Sequence, residues 1–342
     1  MRKKMILLAL TLFIGLSACG NDDKELPDEP GKEQGGNGGD EPESPDNPSG
    51  NEPVSWYVAT TGNDGNSGTL DSPLKSISKA LLRVNPGDTI FLREGAYHEF
   101  VTPTRSGEKG KLITLKSYPG ETAKIDGTGM TIKGWFSALV QLKSVQYMTF
   151  ENLHICNATN SDVNTDPEGV YINGVSRDIT FRNCKVYNIK STCLAGHNNG
   201  DWRSAHAFLV IGDDNGTPIR NLTIEKCEIY DMHTGTSETL TIAGNVDGFT
   251  IQDCEVHDVE NIGIIVAGGD NLNAGGNISV NYARNGVVRR NKVYRCSHQV
   301  SKDFWEGVYN NPAAYGAIGI YVCGGASTII EQNICLLYTS PS

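Results

Sequence analysis

Glu168, His206 and Glu238 each stand six residues ahead of a glycine that closes a short apolar run: Gly169-Val-Tyr-Ile-Asn-Gly174, Ala207-Phe-Leu-Val-Ile-Gly212 and Thr239-Leu-Thr-Ile-Ala-Gly244. One position held by ionisable groups in three consecutive copies of a unit predicts a stacked column immediately before the strands. Neighbouring parallel strands lie about 4.8 Å apart, so His206 would touch both carboxylates, and these would be roughly 9–10 Å apart across two rungs. A carboxylate, an imidazole and a carboxylate in that order suit general acid/base work and are expected to raise the basicity of the histidine. The alternative is that a turn column facing solvent is polar by default.

Other groups could join them. The loop Cys193 to Ser204 brings Asp201, Trp202 and Arg203 just ahead of His206, and the insertion Ser301 to Tyr309 carries Lys302, Trp305 and Tyr309. Trp202, Trp305, Tyr309 and Tyr315 have apolar faces that would stack on a flat ligand or seal the loops onto the body. Asp213, Asp214, Asn245, Asp247 and Asp270 follow the apolar runs and offer the oxygen ligands that Ca2+ takes. Asp and Asn serve turn geometry equally well.

The unit that positions these groups is a repeat. Met148-Thr-Phe-Glu-Asn-Leu-His-Ile155 returns as Ile179-Thr-Phe-Arg-Asn-Cys-Lys-Val186, Leu222-Thr-Ile-Glu-Lys-Cys-Glu-Ile229, Phe249-Thr-Ile-Gln-Asp-Cys-Glu-Val256 and Gly286-Val-Val-Arg-Arg-Asn-Lys-Val293, with a fragment at Ile329 to Asn333. Apolar and polar residues alternate, so each copy reads as a strand, and the glycine-closed runs supply a second. Such pairs bury their apolar face only by stacking on the next copy, which predicts an all-β parallel solenoid. Phe150, Phe181, Ile224, Ile251 and Val288 should form one inward ladder, and Ile155, Val186, Ile229, Val256 and Val293 another. Leu153, Cys184, Cys227, Cys254 and Asn291 make a third, in which the thiols act as small buried hydrophobes. No cysteine spacing supports zinc. Tyr187, Tyr230, His257 and Tyr294 form an outward column whose regularity favours a structural role.

The folded part is read as residues 56–334. Ser72-Pro-Leu-Lys-Ser-Ile-Ser-Lys-Ala-Leu-Leu82 reads as a short N-terminal capping helix with Ser72 as N-cap. Gly87-Asp-Thr-Ile-Phe-Leu-Arg-Glu-Gly-Ala-Tyr97, Leu112-Ile-Thr-Leu-Lys-Ser-Tyr-Pro-Gly120 and Ile125-Asp-Gly127 resemble the opening coils of the right-handed parallel β-helix family, known for pectate-lyase-like and other carbohydrate-active proteins. The resemblance covers Trp56 to Ile334 and implies a polysaccharide partner. The activity it implies is lyase chemistry on an acidic glycan, which needs a base and a cation to hold the growing charge. Arg203, Lys302 or His206 would be base or clamp. Hydrolysis through Glu168 and Glu238 is the enzymatic alternative, since their expected spacing nears the upper end used by inverting glycosidases. A non-catalytic glycan-binding or adhesive solenoid is the other.

Residues 1–19 have the basic start, apolar run and Leu16-Ser-Ala-Cys19 ending that resemble a bacterial lipoprotein signal, implying a lipid on Cys19 and a membrane anchor. Residues 20–55 read as a disordered tether, with eleven acidic residues against two lysines between Gly20 and Pro53. Most of the chain's net charge of −11 therefore belongs to the tether, which excludes a charge-steered nucleic-acid partner for the body. Asn21-Asp-Asp-Lys-Glu25 resembles the surface-export signal of Bacteroidetes lipoproteins, implying display on the outer membrane at the cell surface. A monomer is expected. Cys335-Leu-Leu-Tyr-Thr-Ser-Pro-Ser342 departs from the repeat and resembles a translated library adapter. Residues 335–342 are accordingly read as a sequencing artefact, with the native chain continuing past Ile334.

Overall fold

The computed structural model describes residues 52–162, 164–193, 204–268, 279–297, 300 and 317–336, which wind as a right-handed parallel β-helix. A full coil carries three strands, in keeping with the two or more that the repeat predicts, because the repeated phrase is two strands and not one. Arg177–Arg182 and Lys185–Ser191 lie in different sheets, divided at Asn183. The same bend recurs at Asn152, Lys226, Asp253, Arg290 and Gln332, all with φ between 52° and 56°. A single left-handed residue turns the chain and shifts the in/out alternation by one, so that two outward residues, Arg182 and Asn183 in this copy, stand side by side between buried Phe181 and Cys184. Asn and Asp tolerate that conformation best among residues with a side chain.

Among the described residues the first sheet has nine strands from Ser55–Val58 to Ile329–Glu331, the second six from Ser137–Lys143 to Ile320–Cys323, and the third nine from Gly95–Tyr97 to Ile334–Leu336. The third ladder thus runs on through Cys335 and Leu336, which pair with Val293 and Tyr294. Register bears out the expected ladders. Phe150, Phe181, Ile224, Ile251 and Val288 align in the first sheet, and Ile155, Val186, Ile229, Val256 and Val293 in the third. Cys184, Cys227 and Cys254 are buried free thiols. Asn291 closes their column without an orphaned polar group: its Oδ1 accepts from Cys254 N at 2.9 Å and its Nδ2 donates to Ile251 O at 3.0 Å. Outside, the rings of Tyr187, Tyr230, His257 and Tyr294 stack in turn at 4.9, 5.3 and 4.9 Å.

One rung is filled from its neighbour. Gly286 pairs with Phe249, and a Cβ there would lie 2.0 Å from the Phe249 ring. Gly286→Ala is therefore expected to destabilise by about 1–3 kcal/mol through overpacking, with Phe249→Leu restoring part of the loss, as read by denaturant unfolding.

The capping helix is shorter than expected, Ile77–Leu81, and its N-cap is Ser76 rather than Ser72. The Asp64 carboxylate accepts from Lys75 N and from the amide and hydroxyl of Ser76, while Leu74 N bonds Tyr57 O, which holds the preceding segment extended. Ile77, Ala80 and Leu81 are buried in the main core beside the first strand.

Candidate active site

The second sheet carries the ionisable column. Glu168 lies in Pro167–Asn173, His206 opens His206–Gly212 and Glu238 opens Glu238–Gly244. Glu168 pairs with His206, and the register Phe208↔Leu240 places His206 level with Glu238. Val170 and Ile172 point into the main core, whereas Ala138, level with Glu168, joins Tyr171, Leu209 and Ile211 in a separate apolar cluster. The column therefore sits on the outer face of the sheet. Ser204 bridges to Gly235, and its hydroxyl meets that of Ser237 at 2.8 Å, tying together the starts of the His206 and Glu238 strands.

The column stacks as expected but lies within the strands and is not a solvent-facing turn. Glu168 is fully buried, His206 is 4% exposed, and the Glu238 side chain is 14% exposed. His206 Nδ1 lies 3.0 and 3.1 Å from the two Glu168 oxygens, and its Nε2 is 4.0 Å from Glu238 Oε2. Burial pushes the Glu168 carboxyl well above the ordinary range. Burial also holds the His206 imidazole below its usual value, outweighing the upward pull of Glu238 and Asp166. The expected gain in basicity is thus reversed, because desolvation penalises the imidazolium more than the neighbouring carboxylates favour it. The neutral pair is the consistent state: Glu168 donates its proton to Nδ1, and Nε2–H faces Glu238.

Asp166 is the residue that sequence reasoning missed. It is 2% exposed, its Oδ1 has no hydrogen-bond partner among the described residues, and burial, followed by the neighbouring Glu168 carboxyl, raises it to about 8. Thr165-Asp-Pro reads as a turn, yet the i, i+2 spacing to Glu168 puts both carboxyls on one face of extended chain. A carboxyl raised on folding contributes stability that is present below its ordinary pKa and is lost as pH climbs to about 8. Asp166→Asn should accordingly flatten the decline in unfolding midpoint between pH 5 and pH 8, with a gain of a few kcal/mol at the alkaline end.

The remaining expected positions divide in two. Arg203, Asp201, Trp202, Lys302, Trp305, Tyr309, Tyr315, Asp270 and Cys19 lie outside the described residues. The other aspartates have separate tasks. Asp213 accepts from Gly174 N at 2.8 Å and Asn173 Nδ2 at 3.2 Å, and Asp214 Oδ1 accepts from Gly216 N at 2.9 Å and Thr217 N at 2.6 Å. Asp247 stands inside the first-sheet strand Val246–Gln252, where it accepts from Asn285 Nδ2 and faces Arg284 at 3.3 Å. Turn amides and a guanidinium hold these oxygens, and among the described residues no three His, Cys, Asp or Glu side chains form a group that could hold a metal ion. The Ca2+ donor set expected from the sequence is therefore not gathered by its described members.

Comparison with known proteins gives this geometry a lineage. A family profile described as Pel9A-like, right handed beta helix region, matches residues 56–263. The uncharacterized protein YwoF of Bacillus subtilis (strain 168) is 31% identical over 278 residues, which cover 81% of this chain and 55% of that one. Pectate lyase PEL9 of Emericella nidulans is 30% identical over 142 residues, covering 37% of this chain and 33% of its own. The GH136 lacto-N-biosidase from Eubacterium ramulus superimposes with a TM-score of 0.62 at 17% identity, over 82% of this chain and 51% of that one, a likeness of fold alone. The chain spans about half the length of YwoF and a third of PEL9. With its three-sheet coil and a profile match over most of its folded part, the chain belongs to the Pel9A-like right-handed β-helix family.

Proposed function

We propose that this protein is a carbohydrate-active β-helix that cleaves an acidic polysaccharide by β-elimination, with Glu238 as the base. The carrying observation is the column itself: Glu238 is its most exposed side chain, 14% against 6% for His206 and none for Glu168, and a neutral His206 and a protonated Glu168 stand behind it. The Glu238 carboxylate removes the proton on the carbon α to a uronate carboxylate. The electron pair forms the new C=C bond as the β carbon–oxygen bond to the next sugar breaks, and the departing oxygen takes up a proton. His206 acts as a positioning residue, presenting Nε2–H to Glu238, and Glu168 fixes its tautomer through Nδ1. The likeness to a protein named as a pectate lyase supports this substrate class.

Hydrolysis through Glu168 and Glu238 is less well supported. Two-carboxylate hydrolysis needs a sugar and a water between the groups, and here the imidazole fills that gap while both Glu168 oxygens face it. We place the protein on the outer-membrane surface through a lipid on Cys19, on the strength of its Leu16-Ser-Ala-Cys19 ending.

The test uses the chain without signal and tether on polygalacturonate, rhamnogalacturonan, alginate and neutral xylan. Ultraviolet absorbance and reducing ends are followed with and without a calcium chelator. Absorbance rising with new ends on an acidic glycan is the expected result. New ends without absorbance would replace the lyase by a hydrolase, and retention without new ends would replace it by a binding module.

A further inference from the structure

The loop that precedes the Glu168 strand's neighbour in the second sheet is not used by this chemistry. Trp135 is 47% exposed, a large apolar face left in water, and Lys133 beside it is exposed with no ion-pair partner among the described residues. Their placement is enforced. Phe136 adopts φ 56°, a left-handed conformation that a bulky aromatic residue rarely takes, and its ring packs on Tyr171 at 5.4 Å. Gly134 N donates to Thr165 Oγ1 at 3.1 Å, Asp166 N donates to Gly134 O at 3.2 Å, and Ser137 N donates to Asp166 O at 3.0 Å. The loop is thereby clamped to Thr165 and Asp166, directly ahead of the strand that carries Glu168. The clamped backbone holds this loop in place while the Trp135 ring stays in water, which fits a ligand platform better than a seal, since a sealing Trp would be buried.

We infer that Lys133 and Trp135 form a glycan subsite remote from the column, Trp135 stacking on a sugar ring and Lys133 pairing with a uronate carboxylate. The inference rests on the acidic-glycan reading of the column. Ala138 opens the rung count at the Trp135 end, and Glu168, His206 and Glu238 follow on the next three strands, so platform and base are about 14 Å apart along the axis. A polymer lying along the solenoid reaches both, whereas a disaccharide or trisaccharide bound at Glu238 does not. The subsite therefore favours long chains and holds the substrate in place between cleavages.

Trp135→Ala and Lys133→Ala test this, both at exposed positions where folding should be unaffected, which unfolding midpoints verify. On whichever of the four glycans above the wild type cleaves or retains, each variant should raise KM or Kd for the polymer roughly 3- to 10-fold, the size of one lost aromatic or ionic contact. The kcat on the polymer and the KM for its trisaccharide should stay at wild-type values. Unchanged polymer KM or Kd in both variants overturns the subsite while leaving the column standing. If the wild type neither cleaves nor binds any of the four, the acidic-glycan reading falls, and the subsite with it.

Discussion

Glu238→Gln is expected to lower turnover about 100- to 10,000-fold, the range over which a positioned general base contributes, while leaving the unfolding midpoint unchanged. The two outcomes separate because Glu238 is the column's most exposed side chain, and its amide isostere keeps the size and polarity that the strand packs around. Glu168 offers the contrasting case. Its carboxyl is fully buried against His206, so Glu168→Gln, which still bonds Nδ1, should retain most activity, whereas Glu168→Leu removes the partner of a buried imidazole and should cost both stability and turnover. Turnover in Glu238→Gln equal to wild type would remove the column from the chemistry altogether.

Phe181→Ala is expected to cost about 3–5 kcal/mol, the largest single effect among side chains of the core. The Phe181 ring stacks on Phe150 at 4.6 Å and meets Phe208 edge-on at 5.2 Å, so its loss opens a cavity that two sheets share. Phe208 is two residues along the strand from His206, and its displacement should loosen the column as well as the core. Chemical denaturation gives the stability term. Turnover measured well below the unfolding midpoint should fall too, and a stability loss under 1 kcal/mol would show that the ladder carries far less of the core than its burial indicates.

Much of the fold was legible in the sequence because each inward column repeats a residue class at one register. Phe150 above Phe181, and Cys184 above Cys227 above Cys254, announce themselves by alignment alone. The third strand of each coil is easily passed over because Asn183 and its equivalents mark the corner only by a pair of adjacent polar residues, such as Arg182-Asn183, within an otherwise alternating phrase. The helix was overextended because Ser72-Pro73 is a good start signal locally, and the winning contacts come from Asp64 across a loop. The column's residues were found by their common distance from a closing glycine. Its burial was not, since an outer face reads as solvent-facing until the structure shows Tyr171, Leu209 and Ile211 packed beside it. Burial in turn decides the electrostatics, which is why the basicity of His206 came out opposite to the pairwise expectation and why Asp166 went unnoticed.

The most direct measurement is the fate of solvent oxygen. The chain is incubated with the acidic glycan it cleaves in water enriched with heavy oxygen, and the new chain ends are examined by mass spectrometry. Elimination by Glu238 predicts unsaturated ends that carry no label and no added water. Labelled, saturated ends would mean that water attacks the sugar, and the assignment of this column as a proton-abstracting lyase site would be wrong.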